Sequence, residues 1–598
     1  MTPSTRPISP SLEIVAGLED DPEATRIVNE EMKLLSTVLR ALEASTGADL
    51  SAARGRATDE TRLLELRDDV AVAKPEDLPS LFEQMHHLGA LRAQRGRSIG
   101  GSIDRTNPYF GHLRLEEAVP PNERRPGTPS KRRRDVLIGS RSYVDSEAGI
   151  RIVDWRHAPV SRIYYRYAEG DDYEEELGSR MVEGVVAARR GVTIVAGQLV
   201  RVTATQGTFV RGADDRWKRV AARRARLETE KKWDARHDAR LGIGVDGELR
   251  RNKDLPAIAA LLDPRQFDLI AQDGVGLVAV QGSAGSGKTT VGMHRVAYLA
   301  FKEPQRFRPD NMLVIVPNEA LVHYVARVLP SLGVEGVPVS TFSRFATRLM
   351  SHMFPKMPTA ISEETPSVVS KAKAHPAILR GIDRRVALID SEVDARIRAS
   401  MAKWPQSDGV ALAWEATQNS EGSRTPPDLR LTMLTHWVAG KRQLSGVGEA
   451  STLPQVTRSA LEQIVARERA VTRSVSGVWD ELLTSRESLA DTFSGEPGFG
   501  SGQLDQVHNW CLRQARVRSD GERDGESPTL DAEDRALLFR CWQVLRGPII
   551  DSSAKPIRFA HLFVDEVQDA SAVELRVLVD LTGKDRCITL AGDVAQRM

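Results

Sequence analysis

The chain has 598 residues, 41% apolar and 28% charged, an ordinary globular composition with length for about three or four domains. Its formal net charge of +1 excludes a global electrostatic pull toward nucleic acid or an anionic membrane, so any basic surface must be local. Cys511, Cys541 and Cys587 are far apart and read as free thiols of a reducing compartment; without a signal-peptide pattern or an apolar run of ~18 residues, the expected location is cytoplasmic, with no membrane partner.

After a lead-in of about twenty residues, Val28, Leu35, Leu39 and Leu42 recur at heptad-like spacing within 23–44. A polar break follows at Ser45-Thr46-Gly47-Ala48-Asp49. Over 59–95, Leu63, Leu66, Val70, Leu78, Leu81, Met85, Leu88 and Leu91 recur at threes and fours. Two amphipathic helices joined by a polar turn suggest an antiparallel helical hairpin in 1–100, although such a stripe also suits packing on a neighbouring domain. Residues 101–212 carry short β-type runs, among them Val136-Leu137-Ile138-Gly139, Ile150-Arg151-Ile152-Val153-Asp154 and Val192-Thr193-Ile194-Val195, and read as a small β-rich domain. The basic run Lys131-Arg132-Arg133-Arg134 reads as part of a Pro/Gly-rich loop, solvated or touching phosphates. A charged helix from Asp214 to about Arg240 is expected within a connector over 213–262.

Gln266 lies next, in Asp263-Pro264-Arg265-Gln266-Phe267; its amide offers one base edge both a donor and an acceptor, which would select adenine. The chain then reaches Gly282-Ser283-Ala284-Gly285-Ser286-Gly287-Lys288-Thr289-Thr290, which fits the phosphate-binding pattern G-x-x-x-x-G-K-[ST]. A short apolar run, 276–280, precedes it as a buried strand, and Val291, Val296 and Leu299 follow at helical spacing. Glycines let successive N–H groups close around phosphate oxygens at a helix N-terminus. Lys288 would reach the β- and γ-phosphates, and the Thr289 hydroxyl would complete a Mg²⁺ shell.

A second buried strand at 312–316, a helix at 319–329 and the run 337–345 continue a doubly wound α/β pattern over 263–349. From 350 to 555 the alternation stops. Helical segments such as 460–471 and 530–545, with polar stretches at 418–429 and 519–528, read as a helical insertion with mobile loops. The α/β pattern returns over 556–598, where an apolar strand ends in Asp565-Glu566. Asp565, on a strand beside that of the P-loop, would hold Mg²⁺, and Glu566 would polarise the attacking water. One more strand, Cys587-Ile588-Thr589-Leu590, leads to Gly592-Asp593 and Gln596.

In order, Gln266, Gly282 to Thr290, Val316-Pro317-Asn318, Ser340-Thr341-Phe342, Val564-Asp565-Glu566-Val567-Gln568-Asp569 and Gly592-Asp593-x-x-Gln596 resemble motifs Q, I, Ia, Ib, II and III of superfamily 1 helicases of the UvrD/Rep type. The resemblance implies ATP and Mg²⁺ as cofactors and a P-loop RecA-like parallel sheet built from 263–349 and 556–598. It also implies adenine recognition by Gln266, γ-phosphate sensing by Gln568 and Gln596, and single-strand contacts at Thr341 and Phe342.

The leader carries Tyr109-Phe110-Gly111, Arg134 to Gly139, Asp154-Trp155-Arg156-His157-Ala158-Pro159-Val160 and Tyr164-Tyr165, which is similar to the N-terminal region of the HelD family. That family usually reads Asp-Trp-Arg-Ala-Pro, so His157 looks inserted. HelD proteins are helicase-IV-like ATPases that reach into bacterial RNA polymerase with the N-terminal hairpin and the insertion. The resemblance therefore implies bacterial RNA polymerase core as partner and its remodelling or release as function. An ATP-dependent 3′–5′ helicase or translocase on single-stranded or duplex DNA is the alternative, and a nucleotide-gated scaffold a third. The family's γ-phosphate arginines lie in a second RecA-like domain, of which nothing follows motif III here. The sequence thus reads as truncated, with hydrolysis strongly reduced, since loss of an arginine finger costs about 10³ to 10⁵ in rate.

Overall fold

The computed structural model describes residues 17–45, 103–118, 131–220, 262–520 and 527–593, apart from 146–147, 157, 178–179, 213, 263, 284, 405–406, 421–422 and 584–585. The chain divides into two compact units, Met1–Ala271 with Pro330–Gly333, and Gln272–Leu329 with Val334–Met598.

The first unit begins with helix α1 (Pro22–Ser45). Asp21 starts it by accepting the Ala24 N–H at 3.0 Å, satisfying a donor that has no intrahelical partner. Ala24, Ile27, Val28, Leu35, Val38, Ala41 and Leu42 form one buried face. That face packs on Leu137, Ile152, Val192, Ile194, Leu199, Val202 and Phe209, so the apolar stripe is covered by a β-sheet. The second expected hairpin helix, 59–95, lies outside the described residues.

The sheet comprises β1 (Gly111–Ala118), β2 (Lys131–Gly139), β3 (Tyr143–Asp145), β4 (Ile150–Asp154), β5 (Asp172–Leu177), β6 (Arg180–Val195), β7 (Gln198–Ala204), β8 (Gly207–Arg211) and β9 (Trp217–Val220). Its order is β3-β4-β2-β1-β6-β7-β8-β9, with β5 also on β6. All pairs are antiparallel except β2 with β4.

Two expectations are corrected here. The basic run Lys131 to Arg134 is not a loop but the start of β2, with Arg133 opposite Glu116 and Arg132 opposite Glu117. Arg133 meets Glu116 at 2.6 Å and Arg134 meets Glu117 at 3.3 Å, cross-strand pairs that offset the charge. The helix expected from Asp214 is replaced at its start by β9, because Trp217 buries its ring and its backbone pairs with β8; residues 221–261 lie outside the description.

Charge also holds α1 to the sheet. Glu31, fully buried, accepts from His112 Nδ1 at 2.6 Å and from Arg190 at 2.9 Å. Arg190 also meets Glu30 at 2.7 Å, and His112 Nε2 meets Asp135 at 3.1 Å. Beyond β4, Asp154 pairs with Arg156 at 2.6 Å; His157 lies outside the described residues. Helix α2 (Ala158–Arg166) then stacks Tyr165 on Phe267 of helix α3 (Pro264–Ala271), ring centroids 4.5 Å apart.

The second unit holds strands β10 (Leu277–Gln281), β11 (Met312–Ile315) and β12 (Val339–Ser340), alternating with helices α4 (Lys288–Lys302), α5 (Glu319–Ser331) and α6 (Phe342–Met353). A helical segment follows: α7 (Ser367–Ala374), α8 (Pro376–Met401), α9 (Asp408–Ala416), α10 (Pro427–Val438), α11 (Gln455–Thr472), α12 (Val475–Thr484), α13 (Arg486–Thr492), α14 (Ser501–Asp520) and α15 (Asp534–Arg546), with a hairpin of β13 (Asn419–Ser420) and β14 (Ser423–Arg424). The chain then returns through β15 (His561–Val564), α16 (Ala572–Val579) and β16 (Ile588–Gly592).

Five strands make one parallel sheet, ordered β10-β16-β15-β11-β12. The α/β architecture with a P-loop strand, a β-rich sheet and a large helical segment is therefore as the sequence implies. Leu313, Ile315, Leu562 and Val564 of the sheet share one apolar core with Trp414, Leu431, Trp479 and Leu537 of the helices. The helix read over 530–545 starts only at Asp534. Leu530 is drawn into a bridge with Ile361, and Lys373 sits between Asp531 and Asp534 at 2.5 and 2.6 Å. Residues 521–526 of the acidic loop lie outside the description.

Candidate nucleotide site

Strand β10 ends at Gln281, and the loop that follows turns on glycine. Gly285 and Gly287 have φ of 78° and 84°, left-handed values that side chains with a Cβ resist. At Gly282 a Cβ would come within 2.4 Å of Ser286 Oγ, so a larger residue there would displace the Ser286 side chain. Helix α4 begins at Lys288 with Gly287 in the cap position and no side-chain cap, leaving its first N–H groups to an anion. The buried Lys288 amine donates to the carbonyl oxygens of Gly282 at 3.1 Å and Ser283 at 3.3 Å. It thus lies across the loop mouth, on acceptors that phosphate oxygens can replace.

Val291, Val296 and Leu299 of α4 are all buried. The helix lies against the sheet at Gly292, where a Cβ would stand 2.1 Å from the Phe563 ring. That contact sets the depth at which Lys288 and Thr289 face the ends of the strands.

Asp565 follows β15. It is not on the strand next to β10, as expected, because β16 lies between them. The distance is closed by the loop: Thr289 Oγ1 donates to Asp565 Oδ2 at 2.7 Å. Asp565 is 3% exposed, and its Oδ1 is buried with no hydrogen-bond partner. Burial raises its carboxyl pKa, against the Thr289 hydrogen bond, which lowers it. A hydroxyl and an unsatisfied carboxylate oxygen together are a hard oxygen donor set, which suits Mg²⁺.

Glu566 adopts φ 46°, left-handed without being glycine, a strained backbone of the sort that clusters at functional sites. Its carboxylate accepts from Gln568 Nε2 at 2.8 Å, and Gln568 Oε1 accepts the Asp593 N–H at 3.0 Å. One amide therefore joins the end of β15 to the end of β16. Gly592 permits it, since a Cβ there would stand 2.6 Å from Val567 and 2.8 Å from Gln568 Oε1.

The remaining expected residues divide. Thr290 lies in the first turn of α4, its carbonyl accepting from His294 Nδ1 at 2.8 Å. Ala284 and Gln596 lie outside the described residues. Gln266 lies half-buried on α3, within the first unit. Thr341 caps α6, accepting the Arg344 N–H at 3.2 Å, and Phe342 is partly buried against the core, so both have structural work beside any contact with a strand. The sequence reading missed the Gly292–Phe563 approach and the Asp593 backbone contact. Glycine one turn after Lys288 was the visible sign of the first; nothing local signals the second.

Residues 262–598 match the family of the UvrD/REP helicase N-terminal domain, and residues 28–215 match the N-terminal domain of DNA helicase IV, HelD. No curated protein matches the chain. Among the described residues no helix is long and apolar enough to cross a membrane.

Proposed function

The chain belongs to the UvrD/Rep helicase family, and from that membership we propose that it is an ATP-driven motor that remodels or releases bacterial RNA polymerase. The observation that carries the nucleotide half is the Thr289–Asp565 contact beside an unsatisfied carboxylate oxygen at the mouth of a glycine loop. The polymerase half is supported by the match of 28–215 to the HelD N-terminal domain.

In this reading the N–H groups of Gly282 to Thr290 cradle the phosphates, and the Lys288 amine exchanges its loop carbonyls for the β- and γ-oxygens. Thr289 and Asp565 would hold Mg²⁺, which when bound would supply positive charge against the phosphates. Glu566 takes the proton of the attacking water, oriented by Gln568. Gln568 and Gln596 report the γ-phosphate, and Gln266 reads adenine. Buried free thiols at Cys511, Cys541 and Cys587 accord with a cytoplasmic location.

The helicase family match favours a second reading, a 3′–5′ helicase or translocase on single-stranded or duplex DNA, with Thr341 and Phe342 near the strand. Co-purification with bacterial RNA polymerase core, beside a single-stranded DNA titration over salt, separates the two. Stoichiometric polymerase binding with weak DNA binding supports the first. Tight DNA binding that falls steeply with salt, without polymerase, overturns it in favour of the second.

A further inference from the structure

Asp428, the second residue of α10, is buried, and three guanidiniums converge on its one carboxylate. Arg469 and Arg473, at the end of α11, stand 3.5 and 3.8 Å from Oδ1, and Arg546, the last residue of α15, stands 3.6 Å from Oδ2. Few of their donors are used. Thr472 donates to Oδ1 at 3.1 Å, and Arg469 turns one Nη to Thr432 Oγ1 at 3.0 Å. The Arg473 and Arg546 side chains donate no hydrogen bond among the described residues. The Arg546 plane is nonetheless fixed. Its guanidinium carbon lies 3.8 Å from the centroid of the Trp542 ring, and Trp542 Nε1 donates to the Pro548 carbonyl at 3.1 Å. Burial, together with the charges of Arg473 and Arg469, lowers the Arg546 pKa against the pull of Asp428. All three guanidiniums are open to solvent: the Arg473 side chain is 51% exposed, and those of Arg469 and Arg546 are 22% and 24% exposed.

We propose that Arg469, Arg473 and Arg546 form a site for a terminal phosphate dianion, either inorganic phosphate or the phosphate of a mononucleotide. Charge decides the ligand. Three guanidiniums against one carboxylate leave an excess of positive charge. The ends of α11 and α15 each offset about half a charge and the start of α10 adds about half, so roughly one and a half positive charges remain. A terminal phosphate carries about −1.5 to −2 at neutral pH and matches that excess. A phosphodiester or a carboxylate carries a single negative charge and does not. A guanidinium also presents paired N–H donors that fit phosphate oxygens, and the stacking of Arg546 on Trp542 orients one such pair in advance. Asp428 gathers three like charges in one place, and the phosphate supplies what one carboxylate cannot balance. The site shares no residue with the glycine loop, so the proposal stands apart from the motor reading.

The test is isothermal titration calorimetry of the full chain, and of its Lys288→Ala variant, with inorganic phosphate and with AMP; dimethyl phosphate and glutamate serve as comparison ligands. In the Lys288→Ala chain one phosphate site is expected, weakened about tenfold by Arg473→Gln and by Arg546→Gln, since each removes charge-assisted hydrogen bonds. Arg473 is exposed, so its variant should keep the unliganded thermal midpoint, which separates binding from folding. Asp428→Asn keeps an acceptor for Thr472 and removes a negative charge, so phosphate should bind more tightly to it. Equal affinity for inorganic phosphate and AMP makes the phosphate group the whole ligand, and tighter or exclusive binding of AMP makes a mononucleotide the source. Phosphate affinity unchanged in both arginine variants overturns the proposal. So does dimethyl phosphate or glutamate binding as tightly as phosphate, or the lack of any site for phosphate or AMP in Lys288→Ala. A site lost in Lys288→Ala but kept in the arginine variants belongs to the glycine loop, and its absence from the full chain would count against the motor reading alone.

Discussion

Thr289 and Asp565 are 276 positions apart in the chain, and the hydroxyl of one donates to the carboxylate of the other at 2.7 Å. The parallel sheet makes this possible. Its order, β10-β16-β15-β11-β12, places the ends of strands from distant parts of the sequence on one side, beneath the glycine loop. Ligands in open α/β sheets bind outside the carboxyl ends of the strands, and this contact marks that place.

Removing the charge at Asp565 should separate stability from function. Burial holds its carboxyl pKa above the usual range, so the ionised form at neutral pH weakens the fold, and stability is gained as pH falls. Asp565→Asn should raise the unliganded stability by about 1 kcal/mol in urea titration. The same variant should lose the Mg²⁺-dependent part of nucleotide binding. A fall in stability would contradict the account of Oδ1.

Lys288 contacts only loop carbonyls among the hydrogen bonds described for its amine. Lys288→Ala should therefore abolish tight triphosphate binding while the thermal midpoint without nucleotide barely moves. Calorimetric titration of an ATP analogue decides it; equal affinity in both proteins sinks the phosphate assignment.

Glu566 combines a strained backbone with a carboxylate held by Gln568. Glu566→Gln should keep nucleotide affinity and lower hydrolysis by about 10² to 10⁴ in single-turnover measurements. Glu566→Gly should be equally inactive without a lower thermal midpoint, because glycine accepts φ 46° without strain. Hydrolysis surviving in both variants would remove Glu566 from the chemistry.

Gly292 has no room for a side chain. With the Phe563 ring 2.1 Å from a built Cβ, Gly292→Ala should cost about 1–3 kcal/mol in chemical denaturation. Phe563→Leu in the same chain should recover part of that loss, as contacting residues are coupled. Additive losses would show that the helix does not rest on this ring.

His112 should make the first unit sensitive to alkali. Burial opposes its charge, but Glu31 and Asp135 overcome that and lift its pKa from 6.5 to about 9. The stabilisation is complete below the unfolded value and is lost as pH rises through about 9. Thermal unfolding should therefore show a fall in stability over that window, and His112→Asn should be less stable at neutral pH with a flatter profile. A wild-type midpoint independent of pH there would refute the buried imidazolium.

Local structure was legible at once. The glycine loop, Lys288, Thr289, the strand before and the helix after are consecutive, and each follows from backbone preference, periodicity or charge over a few residues. The pair Asp565-Glu566 was equally visible, as was the β-rich character of the leader. Neighbours across the sheet were not. The basic run at 131–134 looked like a loop because Glu116 and Glu117, which offset it, come from another strand. Asp565 was expected beside β10 because strand order is not written in any one strand.

The sequence by itself determined that this protein carries a P-loop at a strand-to-helix turn, an acidic strand end to go with it, and motifs in the order of one helicase family. Only the tertiary structure decided which distant groups meet: Thr289 with Asp565, Gln568 with Glu566 and Asp593, Glu31 with His112 and Arg190, and Asp428 with Arg469, Arg473 and Arg546. The reason is physical. Backbone conformation and helix starts depend on neighbours along the chain, whereas desolvation and charge pairing depend on what packing brings together across hundreds of residues.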